Sequence, residues 1–173
     1  MSIDKDQSFS DEVLSRKAAQ VGEALLERDW MLATAESCTG GWIAKLVTDH
    51  AGSSQWFDRG FVTYSNAAKN ELLEVCEATL EEHGAVSEET VRAMVRGALA
   101  RSNAEVAVAV SGIAGPDGGT PEKPVGTVWF AWSVHTESVV VRCDSYQGDR
   151  DSVRRQAVYH ALDTLLELLV AGE

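Results

Sequence analysis

Residues Thr34 to Gly41 read TAESCTGG, which sets a serine, a cysteine and a glutamate beside two glycines. The apolar run Met31-Leu32-Ala33 leads in and a helical pattern from Trp42 to Val47 leads out, so the reactive side chains sit on a strand-to-helix turn. Open α/β sheets place their sites at such strand ends. Ser37 there is a candidate nucleophile. The N–H groups of Thr39, Gly40 and Gly41, at a helix N-terminus, would hold an anion or an oxyanion, and the glycines admit close backbone approach. The same pattern has a plainer reading, because Ser and Thr are preferred helix caps. Cys38 is a rival nucleophile, since a helix N-terminus lowers a thiol pKa, or else a small buried filler. Glu36 either orients a base or caps the turn.

A serine nucleophile needs a base. The four histidines, His50, His83, His135 and His160, fall near helix ends, in a turn and inside the last helix, where none suits a triad. The stretch GFVTYSNAAKNELL instead offers Tyr64 at a strand end and Lys69 on the first turn of a helix. Either accepts a proton if its pKa is depressed; otherwise Tyr64 is a core aromatic and Lys69 a solvated charge. A free lysine titrates near about 10.4, so a neutral base at pH 7 needs burial or a neighbouring cation to lower it by about three units.

Two further stretches suit a ligand. Ser111 to Thr127 is a 17-residue segment holding all three prolines and five of the glycines. It matches neither a Walker A loop nor GxGxxG; long ordered loops at strand ends commonly bind something. In QGDRDSVRRQA, Arg150 lies at a helix start, and arginine pairs bidentately with phosphate or carboxylate. Arg154 and Arg155, one turn on, read as a solvated helix face.

These residues require elements to carry them. Leu14, Ala18, Val21 and Leu25 give a helix from Asp11 one apolar face. Strands are expected at Met31–Ser37, Gly60–Tyr64, Glu105–Ser111, Gly126–Val134 and Ser138–Ser145. The last two, joined by His135-Thr136-Glu137, form an antiparallel pair. Helices are expected over Gly41–Asp49, through Lys69, Leu72 and Leu73 after a cap at Ser65 or Asn66, after a cap at Ser87, and from about Asp149. Alternating helices and strands imply a mixed sheet covered on both faces. One domain over residues 11–170 follows, with 1–10 a disordered tail.

Composition narrows the classes. The 173 residues are 45% hydrophobic and 24% charged, as in ordinary globular domains. The polar, acidic N-terminus resembles neither a signal nor a transit peptide, and no apolar run spans a bilayer, so a cytoplasmic protein without membrane contact is expected. A net charge of −12 without a basic cluster opposes nucleic-acid binding. Three cysteines without a CxxC pair oppose a disulfide framework and a zinc site.

Taken together, ESCTGG, GSSxWFxRGFVTYSNxAK, HGAVSEE, VSGIAGPDGG, KPVGTVWFA and GDRxxVRxQA resemble the CinA C-terminal domain family over residues 11–170. The resemblance implies a three-layer α/β/α sandwich around a mixed, mostly parallel five-stranded sheet. It implies deamidation of nicotinamide mononucleotide to nicotinate mononucleotide, without metal or cofactor. Ser37 matches the family's nucleophile, and Tyr64 and Lys69 its associated residues. The glycine-rich loop matches Ser111 to Gly119, which assigns Ser111, Gly112, Ala114, Gly115, Gly118 and Gly119 to the substrate, with Thr39, Gly40, Gly41 and Arg150. A homo-oligomer, preferably a dimer, is also expected, with the five tryptophans as a source of surface.

Overall fold

β-Branched and alanine-rich runs build the sheet. In the computed structural model, which describes residues 8–135 and 138–171, β1 spans Leu32–Glu36, β2 Phe57–Val62, β3 Val106–Gly112, β4 Thr127–Val134 and β5 Val140–Ser145. The order is β2-β1-β3-β4-β5. β1 pairs parallel with β2 and β3, whereas β3–β4 and β4–β5 are antiparallel. Four strands therefore run one way and β4 runs against them, as expected of a mixed, mostly parallel sheet. Glu36 is level with Val62 and Val110, so β1 and β2 end together and β3 runs two residues further, to Gly112.

The helices are α1 Asp11–Leu26, α2 Trp42–Thr48, α3 Asn66–Leu73, α4 Glu77–His83, α5 Glu88–Ala100 and α6 Arg150–Ala171. Strand alternation splits the core in two. Leu32, Val106, Val108, Val128, Phe130 and Trp132 pack with α1, α2 and α6. Ala33, Ala35, Ala107, Ala109 and Ala131 pack on the side of α3, α4 and α5. Methyl groups on that face let α5 lie close. Gly97 extends the close approach to α3, since a Cβ there would stand 2.1 Å from the Leu73 carbonyl oxygen. All five tryptophans pack in or against these cores, so they serve the monomer's own packing.

Four local differences from the sequence reading have physical causes. α4 is unforeseen, because Leu80 is its one buried residue and leaves no periodicity. β2 begins at Phe57, not Gly60; it is an edge strand whose Asp58, Arg59 and Gly60 do not alternate. Its end at Val62 leaves Tyr64 beyond the strand. Ser10, assigned to the tail, caps α1 by accepting the Val13 N–H at 3.3 Å, and Phe9 meets the Tyr159 ring edge-on. Residues 1–7 of that tail and the expected turn residues Thr136 and Glu137 lie outside the described residues. Among the described residues no helix is long and apolar enough to cross a membrane.

Candidate active site

Ser37 follows β1 directly, and its N–H bonds the Val110 carbonyl of β3 at 3.0 Å. Its hydroxyl is not the cap of α2. The Glu36 carboxylate takes that role, accepting the N–H groups of Ile43 at 2.8 Å and Ala44 at 3.0 Å and the Thr39 hydroxyl at 2.7 Å. Burial raises the Glu36 pKa, while these donors and the Gly41 N–H oppose the rise. Of the two roles open to Glu36, the structure selects the cap, which leaves Ser37 Oγ for other use.

Lys69 provides that use. It is only 1% exposed, not a solvated charge. Its Nζ donates to Ser37 Oγ at 3.0 Å and to the Thr63 carbonyl at 2.7 Å. No carboxylate pairs with it among the described residues. Burial lowers its pKa from the ordinary 10.5 to about 8, with no contribution from Arg150. In its neutral form the amine can keep an N–H on Thr63 and turn its lone pair toward the Ser37 proton.

Cys38 does not compete. Burial first, and the Glu36 charge second, push its thiol up to about 12, outweighing any help from the helix terminus.

Tyr64 is 60% exposed, so it is not a core aromatic. Its hydroxyl accepts from Arg150 Nη2 at 2.9 Å and bonds neither Ser37 nor Lys69. Arg150 Nη1 donates to the Gly115 carbonyl at 2.8 Å. Ser37, Tyr64, Lys69, Ser111, Gly112, Ala114 and Arg150 line one cavity of about 210 Å³, with Cys38. Ala85 and Val86 complete its wall and were missed as site residues, having no reactive group. Their signal was the surrounding HGAVSEE string. Ser111 Oγ is engaged in holding them, donating to the Ala85 carbonyl at 2.7 Å.

Gly115, Gly118 and Gly119 are not in that wall, though the Gly115 carbonyl holds Arg150, which is. Gly119 instead lets the loop fold back on itself, since a Cβ there would stand 2.7 Å from the Val125 nitrogen. Thr39, Gly40 and Gly41 line a different cavity of about 670 Å³, which shares no lining residue with the first. The expected oxyanion donors need correction. The Gly40 N–H is engaged by the Ser37 carbonyl at 3.0 Å, and the Gly41 N–H by Glu36. The N–H groups of Cys38 and Thr39 make no backbone hydrogen bond among the described residues.

Arg154, read as solvated, reaches this turn from α6. Nε donates to the Cys38 carbonyl at 3.1 Å and Nη2 to the Thr39 carbonyl at 3.2 Å. Its four-residue spacing from Arg150 was the available signal. Arg155 pairs with Asp11 and Asp151. Among the described residues no three His, Cys, Asp or Glu side chains converge as metal ligands.

The profile of the CinA C-terminal domain matches residues 14–169. This chain belongs to the CinA C-terminal domain family. A protein named nicotinamide-nucleotide amidohydrolase PncC from Escherichia coli (strain K12) is 56% identical over 157 residues, covering 91% of this chain and 95% of that protein. A protein of the same name from Pseudomonas putida is 55% identical over 151 residues, 87% of this chain and 94% of that one. The crystal structure of competence damage-inducible protein A from Klebsiella pneumoniae superposes with a TM-score of 0.89 at 42% identity, over 92% of this chain and 99% of that chain. The CinA match thus spans the Ser37 turn, Lys69, the glycine-rich loop and Arg150 in one domain.

Proposed function

We propose that this chain is a nicotinamide-nucleotide amidohydrolase. It converts nicotinamide mononucleotide to nicotinate mononucleotide and ammonia and returns the product to NAD synthesis. Ser37 is its nucleophile and Lys69 its base. The names and coverage of the relatives support the substrate class. The observation that carries the chemistry is a buried lysine Nζ 3.0 Å from a serine Oγ. A pure binding module has no use for such a lysine, whose burial destabilises its charged form.

The steps follow from that pair. Neutral Lys69 takes the Ser37 proton as Oγ attacks the carboxamide carbon. With a pKa of about 8, it is neutral in about a tenth of molecules at pH 7. The Cys38 and Thr39 N–H groups, which have no backbone acceptor among the described residues, hold the tetrahedral oxyanion; the residue after a serine nucleophile supplies this donor in other serine hydrolases. Protonated Lys69 then gives its proton to the amine, ammonia leaves, and Lys69 activates the water that hydrolyses the ester. Lys69 is given the base role over Tyr64 because Lys69 alone bonds Ser37. Tyr64 and Arg150 stand at the mouth, where the guanidinium can exchange its bonds to Tyr64 and Gly115 for a phosphate. Gly112 and Ala114 border the nucleotide, and Gly115 steadies Arg150 through its carbonyl. The reading needs no metal or cofactor, and places a homodimer in the cytoplasm.

The test is ammonia release from nicotinamide mononucleotide and from free nicotinamide, each with EDTA. The mononucleotide alone should react, with nicotinate mononucleotide as the co-product. No release by the folded protein would contradict the function, and release abolished by EDTA would contradict its metal independence.

A further inference from the structure

The carbonyls of three successive residues on the turn are occupied. Ser37 O accepts the Gly40 N–H at 3.0 Å, Cys38 O accepts Arg154 Nε at 3.1 Å, and Thr39 O accepts Arg154 Nη2 at 3.2 Å and the Trp42 N–H at 3.0 Å. In a trans peptide the carbonyl and the next residue's N–H point in opposite directions. The Cys38 N–H is thereby turned away from Gly40, and the Thr39 N–H away from Arg154. Thr39 is 0% and Cys38 6% exposed, and neither N–H has a backbone acceptor among the described residues; the Cys38 N–H also faces its own thiol. Buried orphan N–H groups are rare in native proteins. The Thr39 N–H, two residues after a serine bonded to a lysine, suits a developing oxyanion, with the Cys38 N–H beside it.

Arg154 works from the other side of that turn. It lines the cavity of Thr39, Gly40 and Gly41, which shares no wall with the Ser37 cavity. Its guanidinium lies over the Trp42 ring, 5.1 Å from the centroid. It has no carboxylate partner among the described residues, whereas neighbouring Arg155 has two. Its charge is therefore directed at the Cys38 and Thr39 carbonyls. A cation on the Cys38 carbonyl polarises the peptide and strengthens the Thr39 N–H as a donor.

We infer that Arg154 is a positioning residue for the oxyanion hole, aiming and polarising the Thr39 N–H from behind the turn. The inference rests on the amidohydrolase reading and adds to it a residue that touches no substrate. Its signature is a loss in kcat without a loss in substrate binding.

The experiment compares wild type, Arg154→Ala and Arg154→Lys in ammonia release, with thermal midpoints recorded for each. Removing one oxyanion donor outright lowers kcat by about 10²- to 10³-fold. Misaligning it should lower kcat by about 10- to 100-fold, with KM within about threefold. Arg154→Lys keeps the cation but reaches a single carbonyl, and should fall between; it also serves if the alanine variant does not fold. Millimolar guanidinium should restore part of the activity of Arg154→Ala. A folded variant with unchanged kcat, or with raised KM at wild-type kcat, overturns the inference.

A second measurement does not depend on the substrate. A sulfonyl fluoride labels an activated serine: the Ser37 O–S bond forms, the S–F bond breaks, Lys69 takes the proton and fluoride leaves. Labelling followed by intact mass should be at least about tenfold slower in Arg154→Ala than in wild type. Equal rates overturn the role of Arg154. No ammonia from wild type would retire the substrate reading, and the labelling rates then decide Arg154 by themselves.

Discussion

Replacing Lys69 with methionine is expected to abolish ammonia release and still raise stability at neutral pH. Burial depresses the Lys69 pKa from 10.5 to about 8. At about 1.4 kcal/mol for each tenfold change in proton affinity, that depression costs the folded state about 3 kcal/mol at pH 7. Methionine has a similar unbranched length and no charge. It forfeits the bonds to Ser37 Oγ and the Thr63 carbonyl, worth about 1 kcal/mol each. The balance is a gain of about 1 kcal/mol, or about 2–4 °C in Tm for a chain of this size. The pH dependence gives a sharper signature. Between pH about 8 and 10.5 the unfolded lysine holds a proton that the folded one has released. Wild-type stability therefore rises with pH across that window, and the advantage of Lys69→Met shrinks. Scanning calorimetry from pH 7 to 10.5 measures both. A methionine variant that is less stable at pH 7, by an amount constant through the window, would refute the depressed lysine.

Three other outcomes follow from the same geometry. The kcat/KM for ammonia release should climb about tenfold from pH 7 to 9 with a midpoint near 8, as Lys69 loses its proton; a flat profile would remove it as the base. Arg150→Ala should raise KM for nicotinamide mononucleotide about 10- to 150-fold and leave kcat within about threefold, since a charge-assisted phosphate contact is worth roughly 1.5–3 kcal/mol; steady-state kinetics separates the two. Cys38→Ala should keep activity within about threefold, because a thiol pushed up to about 12 supplies almost no thiolate at pH 7; a loss of about 100-fold or more would reopen the thiol mechanism.

The sheet was legible because β1, β3 and β4 are buried along most of their length, and β3 and β4 read as nearly continuous apolar runs. β2 was half legible, being an edge strand whose polar residues carry no period. Ser37 stood out by its place at the strand end. The depth of Lys69 did not stand out, although a trace was there: Lys69 and Leu73, four apart, are the two buried residues of α3. A lysine in a short helix reads as solvated until tertiary packing covers it. The cap of α2 was harder still, because Glu36 reaches seven and eight residues ahead to Ile43 and Ala44, outside any local capping pattern. Arg154 acts across 116 residues on the Cys38 carbonyl, a contact made by the docking of α6 and by no local rule.

The central claim is that Ser37 is the nucleophile Lys69 activates, and Ser37→Ala tests it most directly. Ammonia release from nicotinamide mononucleotide should fall by about 10⁴-fold or more while the thermal midpoint stays within a few degrees, as expected when a hydroxyl nucleophile is lost from an intact site. Release at a rate close to that of wild type would contradict the account, whatever the substrate.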